Sequence, residues 1–352
     1  MKRQVLTGVL TFVFAFSIFN SSNKEATALQ EKSIVWKFAN FGTSGSPWNG
    51  LPAWFFNEID QRSNGRLKVK MFLGESLVPT QQAPESLKAG ICQSTAFLPI
   101  YYHSKLPLGG FITYPFVLPG SGSKEGVRDT FLIADKYFTH PLITKELEAW
   151  DAMYIVPHGF NQYEIAGNKP VYNVNDFKGV RIRITGPSAP VLRKFGAAPV
   201  YISTGEAYEG LQKGTVDLFA HSSYFFNRYK IFEVCKFFIE DIQMGTSIGP
   251  FVIKLSAFRA LPKDIQAIIL DVKKEALNKF WTTYYDEEAL GRKAARDKGL
   301  KIINFPKEER AKLLEAAKEL AWPEWIEKTK ALGLPAQEIS NWLLGEIKAM
   351  GW

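Results

Sequence analysis

Two arginines in one short stretch carry the clearest chemistry in this sequence. Asp176-Phe-Lys-Gly-Val-Arg-Ile-Arg-Ile-Thr-Gly-Pro187 reads as a turn, a strand and a second turn. Val180, Ile182 and Ile184 alternate with Arg181 and Arg183, so one face is apolar and the other holds two guanidiniums. Gly186-Pro187-Ser188 breaks the strand and opens a short helix that stops at Gly196. An arginine at the carboxyl end of a strand, beside a helix N-terminus, suits an anion. Its guanidinium presents a planar fork of donors, and the helix end adds unpaired backbone N–H groups. The competing reading is a pair of solvated arginines on the outer face, and this segment alone favours it.

The elements that follow change that balance. Ala197-Ala-Pro-Val-Tyr-Ile202 is a second short strand, and Ser203-Thr-Gly-Glu206 has the form of a capping box. A helix runs from Ala207 to Lys213 and stops at Gly214, and Thr215-Val-Asp-Leu-Phe-Ala220 is a third strand. Strand-helix-strand-helix-strand is the signature of a parallel sheet that binds ligands at the carboxyl ends of its strands. That edge gathers Arg183, Gly186, the Thr204–Glu206 turn and His221.

With these blocks in view, the sequence resembles the solute-binding subunits of tripartite ATP-independent periplasmic (TRAP) transporters of the DctP, dicarboxylate-binding type. The resemblance rests on Asp176-Phe-Lys-Gly-Val-Arg-Ile-Arg, on Phe195-Gly-Ala-Ala-Pro-Val, and on Glu206-Ala-Tyr-Glu-Gly-Leu-Gln-Lys-Gly-Thr-Val-Asp217, and it covers nearly the whole mature chain. It implies an α/β, two-lobed periplasmic binding protein fold. Each lobe is a mixed β-sheet flanked by helices, with a long helix across both. It implies that the arginine matching Arg183 grips the substrate carboxylate, that the chain is not an enzyme, and that it works with the small and large membrane subunits of a permease. The expected lobes are 29–155 with 247–280, and 156–246 with 281–352.

Read along the chain, the N-terminal half repeats the α/β pattern. Ile34–Ala39, Leu67–Phe72 and Cys92–Leu98 are strands, Pro47–Gln61 and Gln81–Lys88 are helices, and Lys124–Trp150 is mostly helical. The loops after the first and third strands, at Asn40-Phe41 and Phe97–Tyr101, face a ligand on this reading. Core packing is the competing role for Phe97, Tyr101 and Tyr102. Met153–Gly159 is read as the crossing to the second lobe, and Thr246–Lys254 as the return. Just past the first crossing, Phe160-Asn-Gln-Tyr-Glu164 occupies the place where several family members put a second polar contact. Some have an arginine where this chain has Tyr163, which weakens the case for a second carboxylate. Pro262–Lys298 is the longest helical run, about 55 Å at the usual rise, with Gly291 as a bend or break. Pro306–Leu332 is helical with a kink at Pro323, and Ala336–Met350 is an amphipathic closing helix.

Compartment and partners follow from composition. Lys2 and Arg3 precede an apolar run from Val5 to Phe19, and Ala26-Thr-Ala28 is a small-residue cleavage site. Residues 1–28 therefore read as a secretory signal, with an uncleaved anchor as the rival; the run is shorter than the ~20 residues that span a bilayer. The expected location is the periplasm, and the protein is not itself membrane-spanning. The formal net charge is +8, without a basic run of the kind that binds nucleic acid. Cys92 and Cys235 are the two cysteines, expected as buried free thiols. A monomer is expected.

Three functions compete. A binding protein closes on an organic acid. A secreted hydrolase needs a nucleophile and base, yet the sequence has no G-x-S-x-G. A sensor's ligand-binding module would use the same cleft. No cofactor is expected, and no metal. Some family members hold sodium with a glutamate just after the third strand, where this chain has Ala220 and then His221, and a lone histidine does not make a hard-cation site. The expected contacts are Arg183 on the carboxylate, with Asn40, Phe97, Tyr101, Gln162, Tyr163, Gly186, Glu206, Phe219 and His221 around it. Leu98 joins the apolar wall. These side chains favour a monocarboxylate with an apolar or aromatic body, or a 2-oxo or 2-hydroxy acid using His221. A C4-dicarboxylate with Arg181 or His221 on its second carboxylate is the alternative.

Overall fold

The computed structural model describes residues 33–42, 46–120, 122–160, 162–184 and 186–352. The secretory signal expected at 1–28 lies outside the described residues. Among the described residues the strands are β1 (Ile34–Ala39), β2 (Leu67–Phe72), β3 (Ser94–Ala96), β4 (Ala152–His158), β5 (Glu164–Gly167), β6 (Arg181–Arg183), β7 (Ala198–Val200), β8 (Leu218–His221), β9 (Phe237–Glu240), β10 (Gly249–Lys254) and β11 (Lys301–Asn304). They form two mixed sheets, ordered β2-β1-β3-β10-β4 and β11-β9-β5-β8-β6-β7. β1, β2 and β3 run parallel, whereas β10 lies antiparallel between β3 and β4. In the second sheet β6, β7 and β8 are parallel and β5 is antiparallel to β8 and β9. The chain passes from the first sheet to the second between β4 and β5, and returns between β9 and β10.

Aromatic residues fill both cores. Phe38, Phe55, Phe56 and Phe251 meet edge to face or tilted under the first sheet, with ring centroids 5.4–6.0 Å apart. Under the second, Phe219 stacks on Phe225 at 5.9 Å, and Phe226 meets Phe219 and Phe238 edge to face at 6.4 and 6.2 Å. Each such side chain contributes about 1.5–3 kcal/mol of burial, plus the preference of aromatic pairs for this geometry.

The helix Lys263–Asp297 runs without a break and touches both lobes. Phe280 packs on Phe251 and His158 of the first sheet, and Glu288 meets Ser223 beyond the second. Gly291, read from sequence as a bend or break, does not break the helix. A Cβ there would sit 2.4 Å from the Ser223 carbonyl carbon and 2.7 Å from the Tyr224 nitrogen, so glycine lets two backbones approach.

Lys124–Trp150 is mostly helical, as expected, and other elements add detail that spacing does not show. Lys124–Trp150 is two helices, Lys124–Thr139 and Pro141–Ala149, because His140 takes an extended backbone before Pro141. The Pro306–Leu332 run contains a π-helical turn at Ala317–Ala321 just ahead of Pro323. The final helix, Ala336–Ala349, had been assigned to the second lobe. It packs against Lys124–Thr139, with Trp342 stacked on Tyr137 at 6.3 Å and Glu346 paired to Lys136 at 2.6 Å. Cys92 is buried and free as expected, whereas free Cys235 is only half-buried.

Among the described residues, no helix is long and apolar enough to cross a membrane.

Candidate functional site

Register builds the site. β6 pairs in parallel with β7 and β8, setting Arg183 opposite Val200 on one side and Phe219 on the other. All three strands end at one edge, where they deliver Arg183, the Ser203–Gly205 turn and His221 to a cavity of ≈ 420 Å³. Residues following β1 and β3 close the opposite wall with Phe41, Trp48, Leu98 and Tyr101.

Arg183 is only 3% exposed. Its guanidinium carbon lies 4.7 Å from the centre of the Phe219 ring. Nε donates to the Ile202 carbonyl at 3.2 Å, and Nη1 stands 3.5 Å from the Ala220 carbonyl. Among the described residues no carboxylate pairs with it. A buried cation without a counter-ion is costly. Two carbonyl oxygens and an aromatic face offset part of that cost and hold the fork in one orientation. An arriving carboxylate would complete the set.

Arg181, two residues earlier, is used differently. Its Nε and Nη2 reach the two Asp217 oxygens at 3.2 and 2.8 Å, and its backbone N–H donates to Asp217 at 2.9 Å. Lys169 adds a contact at 3.2 Å. Arg181 foremost, then its backbone N–H and Lys169, hold the Asp217 carboxyl at about 2, against the opposing effect of burial. Arg181 thus ties β6 to the start of β8 and lies outside the cavity.

His221 lines the cavity with its ring stacked on Phe225 at 3.9 Å. Its Nδ1 accepts the Ser222 backbone N–H at 2.9 Å, which assigns the proton to Nε2. Burial first, and Arg183 second, push its proton affinity well below the ordinary histidine value, so the ring is neutral. It is a hydrogen-bond donor by Nε2 and not a cation. Tyr163 also lines the cavity, 5.2 Å from the His221 ring, and Tyr101 stands beside Arg183.

Several expected contacts lie elsewhere, each for a local reason. Asn40 spends its side chain on the loop after β1. Its Nδ2 donates to the Trp48 carbonyl and Asn49 Oδ1, both at 3.1 Å, and its Oδ1 accepts from Phe41 N at 3.0 Å. It presents Phe41 and Trp48 to the cavity without reaching it. Phe97 is fully buried in the core against Tyr102, and its neighbour Leu98 points the other way and lines the cavity. Gln162 alternates away from Tyr163 and is buried beside Gly120, Glu164 and Arg292. Arg292, from the long helix, donates to Glu164 at 2.9 and 2.6 Å. Glu206 accepts from Ser203 N at 2.8 Å and Ser203 Oγ at 2.7 Å, and these two bonds pull its carboxyl down. It shapes the turn whose Ser203, Thr204 and Gly205 do the lining. Gly186, at φ +50°, borders a neighbouring cavity of ≈ 440 Å³. Phe219 lies beneath Arg183, fully buried.

Other residues complete the wall. Phe160, at the crossing between sheets, packs on Trp48 at 5.3 Å and on Tyr224 at 5.2 Å, so the aromatic lining is continuous from one lobe to the other. Tyr224 and Phe225 come from the helix Ser223–Arg228, which the Ser222 side chain caps, and Tyr229 follows at its C-terminal end. Tyr201 stands 85% exposed between the two cavities. The strand-end argument that selected His221 reaches Tyr224 and Phe225 if carried one turn further.

Residues 38–328 match the profile of bacterial extracellular solute-binding protein, family 7, the DctP family. The chain belongs to this family. Among its family 7 relatives is a solute-binding protein of Albidiferax ferrireducens, 25% identical over 299 residues, 78% of this chain and 80% of that one. A protein of Nostoc named as a monocarboxylate 2-oxoacid-binding periplasmic protein is 23% identical over 303 residues, 84% and 79% of the two chains. The fold is also that of a TRAP solute-binding protein from Rhodoferax ferrireducens, solved in complex with copurified benzoate. The TM-score is 0.77 at 19% identity, over 90% of this chain and 98% of that one. Among the described residues no cluster of three His, Cys, Asp or Glu could hold a metal ion.

Proposed function

We propose that this family 7 protein captures an organic carboxylate between its lobes in the periplasm and hands it to the small and large membrane subunits of a TRAP permease. The favoured ligand is a monocarboxylate with an apolar or aromatic body, or a 2-oxo or 2-hydroxy acid. One observation carries this reading: Arg183 is buried without a carboxylate at the edge of an aromatic-walled cavity. The ligand carboxylate takes the guanidinium fork, and its body meets Trp48, Phe160, Tyr163 and Phe225. The Nε2–H of His221 donates to a 2-oxo or 2-hydroxy oxygen. The names of the Nostoc relative and of the benzoate complex support the same class.

A C4-dicarboxylate fits less well. Arg181, its candidate second cation, is held by Asp217 outside the cavity, and His221 is neutral. Capture without turnover is the expected behaviour, because the cavity histidine receives a backbone N–H at Nδ1 where a catalytic base would be oriented by a carboxylate. A thermal-shift panel tests the ligand class, since a ligand at 100 times its Kd adds about 2.7 kcal/mol to stability. Phenylacetate, phenylpyruvate or branched 2-oxo acids should raise the Tm. Stabilisation by succinate, malate or fumarate alone would reject the reading.

A further inference from the structure

The cavity holds a second formal charge, and it comes from the other lobe. Glu75 lines the wall opposite the β6–β8 edge, and Arg183 and Glu75 are the two formally charged residues among its described lining. Glu75 sits in an unusual backbone state. Gly74 and Glu75 are successive left-handed residues, at φ +62° and +59°. Glycine adopts that region freely, whereas glutamate is strained there, and such strain concentrates at functional sites. The surrounding chain enforces it. Gly74 N donates to the Gly42 carbonyl at 2.9 Å and Glu75 N to the Asn40 carbonyl at 3.2 Å. One carboxylate oxygen, Oε1, receives both the Thr80 backbone N–H, at 2.9 Å, and the Thr80 hydroxyl. The side chain is thus fixed by its own loop through one oxygen, and no described hydrogen bond uses Oε2. Tyr101 lines the same cavity, near enough to feel both Arg183 and Glu75.

We propose that Glu75 is a specificity-determining residue: it selects carboxylates that carry a hydrogen-bond donor, a hydroxyl or an ammonium, at the end away from Arg183, and it repels a second carboxylate there. This rests on the proposed function and refines the ligand class. Glu75 is exposed at the cavity wall; a donor reaching Oε2 makes a charge-assisted bond, whereas a carboxylate brought to the same place meets like charge.

A matched ligand series tests it by calorimetry on the full-length mature protein. The ligands are phenylacetate and its hydroxy, aminomethyl and carboxy derivatives at ring positions 3 and 4. The wild type should bind at least one donor-bearing derivative about tenfold more tightly than phenylacetate, and the carboxy derivatives about tenfold more weakly. The hydroxy and aminomethyl arms separate a neutral from a cationic donor. In Glu75→Gln, which keeps an acceptor for Thr80, both ratios should shrink to within about threefold, because a neutral amide neither attracts an ammonium nor repels a carboxylate. Equal affinity of the wild type for the whole series overturns this inference alone, as do ratios unchanged in Glu75→Gln. Failure of the wild type to bind any of them while binding the 2-oxo acids of the thermal-shift panel overturns this inference alone; failure to bind either set overturns the proposed function as well. Should Glu75→Gln not fold, the wild-type ratios decide.

Discussion

At the scale of single residues, the site turns on how protons and charges are held. Arg183 is oriented in a buried place by two carbonyls and a ring face. His221 gives up its charge for the same burial, reinforced by Arg183. The sign of the resulting pH dependence is definite. A histidine whose proton affinity is pushed well below 6.5 is neutral from pH 8 down to 6.5, so ligand affinity should be flat across that window. Calorimetry at four pH values checks this. Affinity that strengthens several-fold as pH falls to 6.5 would mean that the bound ring is cationic and the Nε2–H assignment wrong. Arg183, His221, Tyr101 and Tyr163 were legible in the sequence, because strand-end position and period-two alternation are local rules. Asn40, Gln162 and Glu206 were read as contacts, yet each is consumed by partners that spacing does not reveal: the Trp48 carbonyl, Arg292 and the Ser203 backbone. Phe97 and Leu98 show how one step in register exchanges core for cavity.

At the scale of elements, the long helix places the aromatic wall. Glu288 accepts from the Ser223 hydroxyl and from Tyr224 N, the latter at 3.2 Å, at the start of the helix that carries Tyr224 and Phe225. Three residues on, Gly291 lets the two backbones touch. Neither is close to the cavity in sequence. Gly291→Ala should force the helices apart, costing about 1–3 kcal/mol of stability, and should weaken ligand binding by shifting Tyr224 and Phe225. Chemical denaturation with calorimetry measures both. Unchanged stability would show that the helix pair yields without strain. The sequence displayed the helix, since its apolar residues repeat at three and four, and even its span across both lobes through the family resemblance. It could not show what Gly291 is for. A glycine that bends a helix and one that admits a neighbour look alike until the neighbour is placed, and Ser223 is far away along the chain.

At the scale of the whole molecule, two mixed sheets are joined by three crossings, the last along the long helix between β10 and β11, and a cavity is lined from both sides. Alternating strands and helices made the α/β class and the parallel β6–β8 unit readable, whereas the two-lobed mixed-sheet arrangement came through the family resemblance. The place of the final helix was not readable, since it depends on Trp342 and Glu346 finding Tyr137 and Lys136 across the molecule. Binding in such an architecture stabilises the state in which contacts from both lobes meet the ligand together. Arg183 is therefore expected to be the common anchor for every ligand the cavity accepts. Titration calorimetry of Arg183→Ala and Arg183→Lys against the best ligand of the thermal-shift panel tests that claim most directly. A charge-assisted contact worth ~1.5–3 kcal/mol predicts at least ~10-fold weaker binding by Arg183→Ala, with Arg183→Lys only partly restoring it. Near-wild-type affinity in Arg183→Ala, with the protein folded, would contradict the account.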